Sequence, residues 1–338
     1  MELYFLNKSF KVTSDPIDEF TSAVWSEKYY ETGSFTVHLP KKFASTARDA
    51  AYMRTEFDEN GDCFCGRIET VSVSSGDESE CIVSGILLEG LLGDRVTYTS
   101  GEISGEVTSS ALSVVSDNLR DLPITIDYDN SSKLEQSSVL TWEWNKLSDW
   151  LYSVLRPYGA SYTIKLRLGD TNPKLCIVSG SDKSSSTVFS TSFGNILSLE
   201  YEKVGGKLRN FAYCEGGDGT IAVLRKYATD RRETYLSAKE ISPDKYTDDD
   251  EYRSALTQKA EETLAKYPIS VTLSVETSPD IPPYYGEDYR LGDICQISDS
   301  SIRINTPLRL TSVDTVCESG KTRVYPFFGE SLRWRDLI

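Results

Sequence analysis

Histidine is almost missing from this chain, and long apolar runs are missing altogether. The 338 residues contain one His, at position 38, and two Met. Catalytic sites of the Ser-His-Asp or Cys-His type need an imidazole, so His38 is the one candidate, and no Gly-x-Ser-x-Gly turn accompanies it. No stretch reaches the roughly 18 apolar residues of a membrane-spanning helix, and the amino terminus lacks the pattern of a secretion signal. We therefore expect a non-enzymatic protein without a membrane anchor.

Cysteine is present, but its pattern fits neither a disulfide framework nor a metal site. The chain has seven Cys at irregular spacing and no Cys-x-x-Cys pair. A single His cannot complete the mixed Cys and His ligand sets of structural zinc. We expect reduced, mostly buried thiols, no metal and no cofactor. The cysteines are Cys63, Cys65, Cys81, Cys176, Cys214, Cys295 and Cys317.

Basic charge is scarce. The chain has 36 Lys and Arg against 52 Asp and Glu, a net charge of −16, and the acidic excess is spread without a basic stripe. Affinity for nucleic acid comes mainly from cationic contacts to phosphate, so this composition disfavours a protein that grips DNA or RNA. An acidic wall would instead let a polyanion pass without sticking.

Aromatic and small polar residues are plentiful and stand in short alternations. Twenty Tyr, twelve Phe and five Trp are interspersed with Ser and Thr, which is typical of β-rich globular proteins. The length predicts two or three structural units.

One alternation contains the single histidine. In residues 29–40, Phe35, Val37 and Leu39 fall on one face of a predicted strand, and Thr36 and His38 fall on the other. This pattern places His38 on a wet or partner-facing surface rather than in a core.

Apolar residues at helical spacing predict three helices, at 108–119, at 145–156 and from 248 to 266. The acidic run at 248–251 fits the amino end of the third helix better than a calcium loop. The glycines of residues 216–219 precede a strand and lack a following Lys-Ser or Lys-Thr, so they predict a turn rather than a phosphate loop.

The sequence Trp142-Glu143-Trp144 supports a competing hypothesis. Aromatic rings stack on sugars and carboxylates act in glycoside hydrolysis, so a glycan-binding module or cell-wall glycosidase stays open. These residues directly precede the helix that carries Trp150, where aromatic side chains usually cover the helix start. We expect them to serve mainly in packing.

Two distant segments resemble each other. In each, a strand leads to a Ser-Gly turn and a second strand returns to a glycine, with a slip of two residues between the copies. Duplication of a small β unit explains the match, and chance similarity between two hairpins is the rival explanation. The copies are Arg67-Ile68-Glu69-Thr70-Val71 with Ser75-Gly76 and Gly85, and Arg309-Leu310-Thr311-Ser312-Val313 with Ser319-Gly320 and Gly329.

Short motifs along nearly the whole chain match one known family. They are Tyr29 or Tyr30 leading into 33–40, Gly66-Arg67-Ile68-Glu69, Val83-Ser84-Gly85-Ile86-Leu87, Leu91-Leu92-Gly93-Asp94-Arg95, residues 195–209, the helix at 252–266, Tyr289-Arg290-Leu291-Gly292-Asp293-Ile294 and the hairpin at 309–328. Together they resemble the tail-hub proteins of tailed phages, which include siphophage tail proteins and the amino-terminal parts of tail-associated lysins.

The resemblance implies a mainly β fold with two related small β-barrel domains and a mixed α/β region inserted into the second. Residues 1–103 would form the first barrel and residues 191–227 with 285–331 the second. Residues 104–190 and 228–284 would form the α/β region, and 332–338 a C-terminal tail.

The resemblance also implies a structural role in a phage or prophage virion tail, assembled in the bacterial host cytoplasm. The family is typically homotrimeric, and its six barrels form a ring that meets a sixfold tail tube. The ring would join a distal-tail or tail-tube protein to a spike, fibre or lytic module, and genomic DNA would pass through its channel without specific binding. Residues 334–338 directly follow the last predicted strand, so we expect any lytic activity to reside elsewhere.

Overall fold

A computed structural model gives the fold of the chain. It describes residues 1–74, 80–204, 206, 208–226, 231–264, 267, 269–278, 281–318 and 320–332, so the predicted turns at 75–78 and 205–206 and the tail at 332–338 lie wholly or partly outside it. Strands dominate the described part. They are β1 Leu3–Leu6, β2 Ser22–Lys28, β3 Ser34–Pro40, β4 Tyr52–Thr55, β5 Cys65–Val73, β6 Glu80–Leu87, β7 Ser100–Glu106, β8 Thr125–Ile126, β9 Ser137–Glu143, β10 Ala160–Lys165, β11 Lys174–Ser179, β12 Val188–Ser190, β13 Ile196–Val204, β14 Phe211–Gly216, β15 Ile221–Arg225, β16 Glu233–Ala238, β17 Ile269–Thr277, β18 Ile294–Asp299, β19 Ile304–Glu318 and β20 Lys321–Leu332.

The described α-helices include all three that the sequence predicts. The predictions at 108–119 and 145–156 are confirmed within two residues, and the third is confirmed up to residue 264, since 265 and 266 lie outside the described ranges. The helices are α1 Ala44–Asp49, α2 Val107–Leu119, α3 Leu147–Leu155 and α4 Asp249–Leu264.

The first six strands form an antiparallel set, which we call the N-terminal strand set, in the order β1-β4-β5-β6-β3-β2. Leu3 and Ile17 exchange two backbone hydrogen bonds of 2.9 Å, so β1 approaches the segment before β2 and the sheet curls. Phe35, Val37 and Leu39 of β3 are buried inside it, which confirms the predicted alternation.

A second set of strands repeats this arrangement. This C-terminal strand set has the order β12-β18-β19-β20-β17-β13. When the strands of each set are counted along the chain, both orders are first, fourth, fifth, sixth, third, second. The sets differ at one edge, because β1 pairs with β4 in antiparallel fashion whereas β12 pairs with β18 in parallel. The shared order supports duplication over chance similarity.

The hairpins that suggested duplication also share an irregularity. In β5 the register shifts between Ile68 and Thr70, and in β19 it shifts between Leu310 and Ser312, so each fifth strand has a β-bulge at the matching place. Ile68 lies opposite Gly85 and Leu310 lies opposite Phe328. The sequence-based match of Gly85 with Gly329 is therefore off by one residue, because sequence similarity does not fix how many residues the turn uses.

An α/β region follows the N-terminal strand set. It contains the pair β7-β9, the sheet β10-β11-β8, and α2 and α3, which pack with the 3₁₀ turn Leu88–Asp94 on a shared core. Its first strand begins at Ser100, four residues before the start at 104 that the sequence suggested.

The contacts divide the chain into two compact units. One comprises Met1–Leu199 and Ser274–Phe328, and the other contains Glu200–Leu273. Within the second unit, α4 packs on the three-stranded sheet β15-β14-β16 around Tyr252 and Leu256.

Several domain bounds differ from the expected ones. Residues 211–225 were expected in the second barrel, but β14 pairs with β15 and β16 and buries Ala212 and Cys214 beside α4. Conversely, β12 and β17 were expected in the α/β region but belong to the C-terminal strand set, as its first and third strands along the chain. Local pattern predicts a strand, whereas its neighbours in the sheet depend on distant residues.

Candidate assembly interface

The two strand sets are joined by antiparallel pairing of β2, an end strand of the N-terminal set, with the part of β19 beyond its bulge. The paired residues run from Ser22 opposite Glu318 to Lys28 opposite Ser312. Cys317 of β19 is buried in the core of the N-terminal strand set, together with Trp25 of β2. The junction is therefore both a continuous hydrogen-bonded ladder and a shared apolar core.

Tyr29, the residue after β2, ties three parts of the first compact unit together. Its hydroxyl lies 3.0 Å from the carbonyl oxygen of Gly159 and 3.2 Å from that of Val178, and it accepts a 3.1 Å hydrogen bond from the Gly180 amide. The Tyr29 backbone amide donates to the carbonyl of Thr311 at 2.8 Å. Burial raises the pKa of Tyr29 to about 12, so the hydroxyl keeps its proton.

Glycine is required where the chain passes Tyr29. Gly292 has φ +94°, and a Cβ placed there would lie 2.3 Å from Cε2 of the Tyr29 ring. A Cβ on Gly180 would lie 1.8 Å from the carbonyl oxygen of Gly292. Both glycines thus permit a close approach that no other residue allows. The Leu-Gly-Asp motif at 291–293 was part of the family resemblance, but the sequence did not indicate that its glycine meets Tyr29.

A half-buried acid, Glu27, also lies at the junction. The Tyr285 hydroxyl donates a 2.7 Å hydrogen bond to Oε2 of Glu27, a residue of β2. Burial raises the pKa of the Glu27 carboxyl, although the Tyr285 hydrogen bond acts in the opposite direction. The carboxyl therefore favours its neutral form more than an exposed glutamate does.

The motif glycines of the N-terminal strand set make room for Phe35. A Cβ on Gly66 would lie 2.6 Å from the Phe35 ring, and a Cβ on Gly85 would lie 2.9 Å from it. The ring also stacks on Trp25 with their centroids 4.9 Å apart. These contacts explain the Gly-Ser-Phe, Gly-Arg-Ile-Glu and Ser-Gly-Ile motifs as packing of one core.

His38 lies on the outer face of β3, as the alternation predicts. Its Nδ1 is 2.8 Å from Oε1 of Glu80 on the neighbouring strand, and about a third of each side chain is exposed. This is a surface pair across two strands, and its geometry needs no catalytic role.

The Trp142–Trp150 region forms an open groove of about 370 Å³. Trp150 is buried and its Nε1 donates a 2.9 Å hydrogen bond to the Thr141 carbonyl, while Trp142 meets it edge to face. Trp144 is 56% exposed and contributes nothing to a core. The predicted packing role therefore holds for Trp142, which packs against the shared core and the Trp150 ring, but not for Trp144. The groove is lined by Ser100, Gly101, Thr141, Trp142, Glu143, Asn145, Trp150 and Ser153.

The two remaining polar motifs have structural roles in the second unit. Residues 216–219 form the turn from β14 to β15, where Asp218 accepts a 2.5 Å hydrogen bond from the Tyr252 hydroxyl. That bond and those from Thr220 lower the pKa of Asp218 to about 2. The Asp248 carboxylate accepts a hydrogen bond from the Glu251 amide and so caps the start of α4, and the Glu251 carboxylate accepts one from the Thr247 amide. Both predictions, a turn and a cap, are confirmed.

The seven cysteines are free thiols, and five of them are buried, which confirms the prediction of mostly buried cysteines. Burial raises the pKa of Cys63 and of Cys295 to about 12, which keeps both unreactive at neutral pH. Within the described ranges no three His, Cys, Asp or Glu side chains come together as metal ligands. No α-helix in the described part of the chain is both long and apolar enough to cross a bilayer.

Comparison with known proteins assigns the chain by sequence and by fold. A family model described as Siphovirus ReqiPepy6 Gp37-like protein matches residues 1–330. No curated protein matches the chain.

Solved structures of low sequence identity share this fold, among them three tail proteins. A prophage MuSo2 43 kDa tail protein from Shewanella oneidensis has TM-score 0.60 and 12% identity, covering 100% of both chains. A tail protein from Neisseria meningitidis MC58 has TM-score 0.59 and 14% identity, covering 99% of this chain and 97% of its own. Prophage tail protein gp18 from Listeria monocytogenes EGD-e has TM-score 0.56 and 12% identity, covering 98% and 96%.

Proposed function

The chain belongs to the Siphovirus ReqiPepy6 Gp37-like family of siphovirus tail proteins, and on that premise we propose that it is the hub of a phage or prophage tail tip. The proposed hub is a homotrimeric ring that joins the tail tube or a distal-tail protein on one side to a spike, fibre or lytic module on the other. Its role is mechanical, without catalysis or a cofactor.

The observation that carries this proposal is the repeated strand order of the two sets. A tail tube of sixfold symmetry needs six similar contact surfaces, and a trimer can offer six only if each subunit has two. The N-terminal and C-terminal strand sets share one order and one bulge position, and they are joined by pairing of β2 with β19. Three copies would therefore present six related sets.

Acidic charge supports the proposed channel. A lumen lined by part of the net charge of −16 would repel the phosphates of passing DNA. Reversing the charge of lumen-facing acids should slow genome delivery without changing tail assembly, and equal delivery kinetics in such variants would contradict the channel role.

Labelling in the particle tests the hub position. An affinity tag inserted in the β14–β15 turn at 216–219, followed by gold labelling and electron microscopy, should place the chain at the distal tip of the tail. Deletion of the gene should abolish tails or leave tubes without a tip, and complementation should restore them. Label along the tube or at the head would contradict the proposal.

The groove at Trp142 supports the second candidate, a glycan-binding module or glycosidase. It combines the Trp142 ring with the Glu143 carboxylate, but Glu143 is the one acid among its lining residues. Hydrolysis of glycosides usually requires a pair of carboxylates, so binding is the stronger form of this candidate. Zymography on peptidoglycan separates the two: lysis by the wild type that is lost in Glu143→Gln would establish an enzyme.

A further inference from the structure

We propose that the hub closes by strand pairing between copies, in which β13 of one copy pairs with the outer edge of β5 in the next. This inference rests on the proposed function for the number of copies, and the two strands come from the repeated fold. The pairing would reproduce between chains the junction that β2 and β19 make within one chain.

The template for the pairing is the part of β19 beyond its bulge. Leu310 donates its amide to the Asp293 carbonyl just before the bulge, and from Ser312 onward the same edge of β19 pairs with β2. This edge of β19 therefore pairs with β18 of its own set before the bulge and with β2 of the other set after it.

The matching edge of β5 begins in the same way but is not covered afterwards. Ile68 donates its amide to the Ala51 carbonyl just before the bulge, as Leu310 does to Asp293. Beyond the bulge, residues 70–73 pair with β6 on one side, and no described strand pairs with their other side. In this part of the described structure, β5 has an open edge where β19 has a partner.

The strand that matches β2 also has an open edge. In the order of the C-terminal strand set, β13 stands where β2 stands in the N-terminal set, and it ends the order with β17 as its one neighbour among the described strands. Leu197 of β13 is 60% exposed although it is large and apolar. An unpaired edge at the end of a sheet that exposes a large apolar side chain is a ready template for pairing with another chain.

The apolar side chains of β5 and β13 are compatible with the same pairing. Within the chain, Trp25 of β2 lies opposite Thr315, and Ala23 lies opposite Cys317. Val73, which is 45% exposed, is the counterpart of Thr315 in the repeat. Leu197 and Leu199 are two residues apart and share one face of β13, as Ala23 and Trp25 share one face of β2. Val73 would therefore meet one of the two leucines across the strands.

The open edge of β5 also lacks the residues that usually protect an edge. Residues 70–73 read Thr-Val-Ser-Val and contain neither Lys nor Pro. Isolated edge strands commonly carry such residues to prevent association, so their lack is consistent with an edge that is meant to be covered.

The two open edges differ, so the contact is heterologous. Each copy would use β5 toward one neighbour and β13 toward the other, and such contacts form a ring when the rotation per copy closes. With two sets per copy, the ring alternates contacts within and between chains.

Cysteine cross-linking of the full chain tests the pairing. A mixture of Val73→Cys and Leu197→Cys chains, or of Val73→Cys and Leu199→Cys chains, should give a covalent dimer after mild oxidation. One chain that carries both substitutions should give a ladder that ends at the trimer. Each single variant alone and Val73→Cys mixed with Val139→Cys, an exposed valine of β9, are the controls and should stay uncoupled.

Charge on the open edge gives a second test with a matched control. Leu197→Glu should reduce self-association at least tenfold and keep the wild-type melting temperature, since Leu197 is largely exposed. Ile221→Glu, at a similarly exposed position of β15, should associate as the wild type does.

The outcomes separate the pairing from the hub function. Trimers that form without either cross-link and tolerate Leu197→Glu would overturn the strand pairing while the hub stands. Cross-links that form in a protein whose gold label is absent from the tail tip would support the pairing and overturn the hub. A chain that neither associates nor cross-links at its highest soluble concentration would overturn the pairing, and the label would still decide the hub.

Discussion

The backbone amide of Tyr29 donates a 2.8 Å hydrogen bond to the carbonyl of Thr311, the extra residue of the bulge in β19. A bulge leaves one residue out of its own hairpin ladder. Here Thr311 accepts a hydrogen bond from Tyr29, the residue that follows β2. The bulge therefore lies where one strand set is attached to the other.

Gly292→Ala should weaken the junction. The new Cβ would meet the Tyr29 ring at 2.3 Å in a backbone with φ +94°, and overpacking together with strain should cost about 2 to 5 kcal/mol. Gly286→Ala is the matched control, because Gly286 has φ +90° and nothing within 4 Å of its Cβ position. Urea unfolding followed by tryptophan fluorescence measures both. Equal midpoints for the two variants would show that the Tyr29 contact is unimportant.

Phe35→Asp should prevent the N-terminal strand set from folding. Loss of the ring alone costs about 3 to 5 kcal/mol, and an unpaired carboxylate in this core adds a further penalty. Thr36→Asp, on the opposite face of β3, should fold with little change. Near-ultraviolet circular dichroism reports the Trp25–Phe35 stack directly. A native spectrum for Phe35→Asp would refute the assigned core.

His38→Ala should leave stability and tail assembly nearly unchanged. The pair with Glu80 is partly exposed, and pairs of that kind contribute about 0 to 1 kcal/mol. Thermal unfolding and counts of complete tails in complemented particles measure the two effects, and Glu80→Gln should behave in the same way. A folded variant that no longer forms tails would assign His38 a role that its geometry does not suggest.

Glu27→Gln should change how stability depends on pH. Because the folded carboxyl holds its proton more tightly than the unfolded one, its contribution to stability falls as pH rises from about 4.5 through the raised pKa. Glutamine keeps an acceptor for the Tyr285 hydroxyl and cannot ionise. The variant should therefore be as stable as the wild type below pH 4.5 and more stable than it at neutral pH.

The control for this prediction is Glu102→Gln, which changes an exposed carboxyl of β7. It should leave the pH dependence of the melting temperature as it is in the wild type. A Glu27→Gln curve that runs parallel to the wild-type curve over the whole range would show that Glu27 does not bind its proton more tightly in the folded state.

Local pattern was enough to predict the strands and helices that bury one face. The alternation of β3 and the helical spacing of α2 and α3 place apolar residues on a single side, and the structure buries those residues. The similarity of the two hairpins likewise indicated a repeat, and the structure places a β-bulge at the matching position of each hairpin.

The junction could not be predicted in the same way. The Tyr29 hydroxyl meets Gly159 and Val178, which are 130 and 149 residues away along the chain, and no periodicity encodes such a contact. The membership of β17 was missed for a related reason. Its sequence predicts a strand, but an insertion of residues 205–268 separates it from β13 along the chain.

That insertion is present in one of the two strand sets and absent from the matching position of the other. The second and third strands are linked by residues 29–33 in the N-terminal strand set, whereas residues 205–268 form the same link in the C-terminal set. In a ring of alternating sets, every second link would be enlarged and the others would stay short. A ring of three copies would then contain six related strand sets but only three insertions. One chain could therefore present a sixfold contact surface through its strand sets and a threefold one through its insertions.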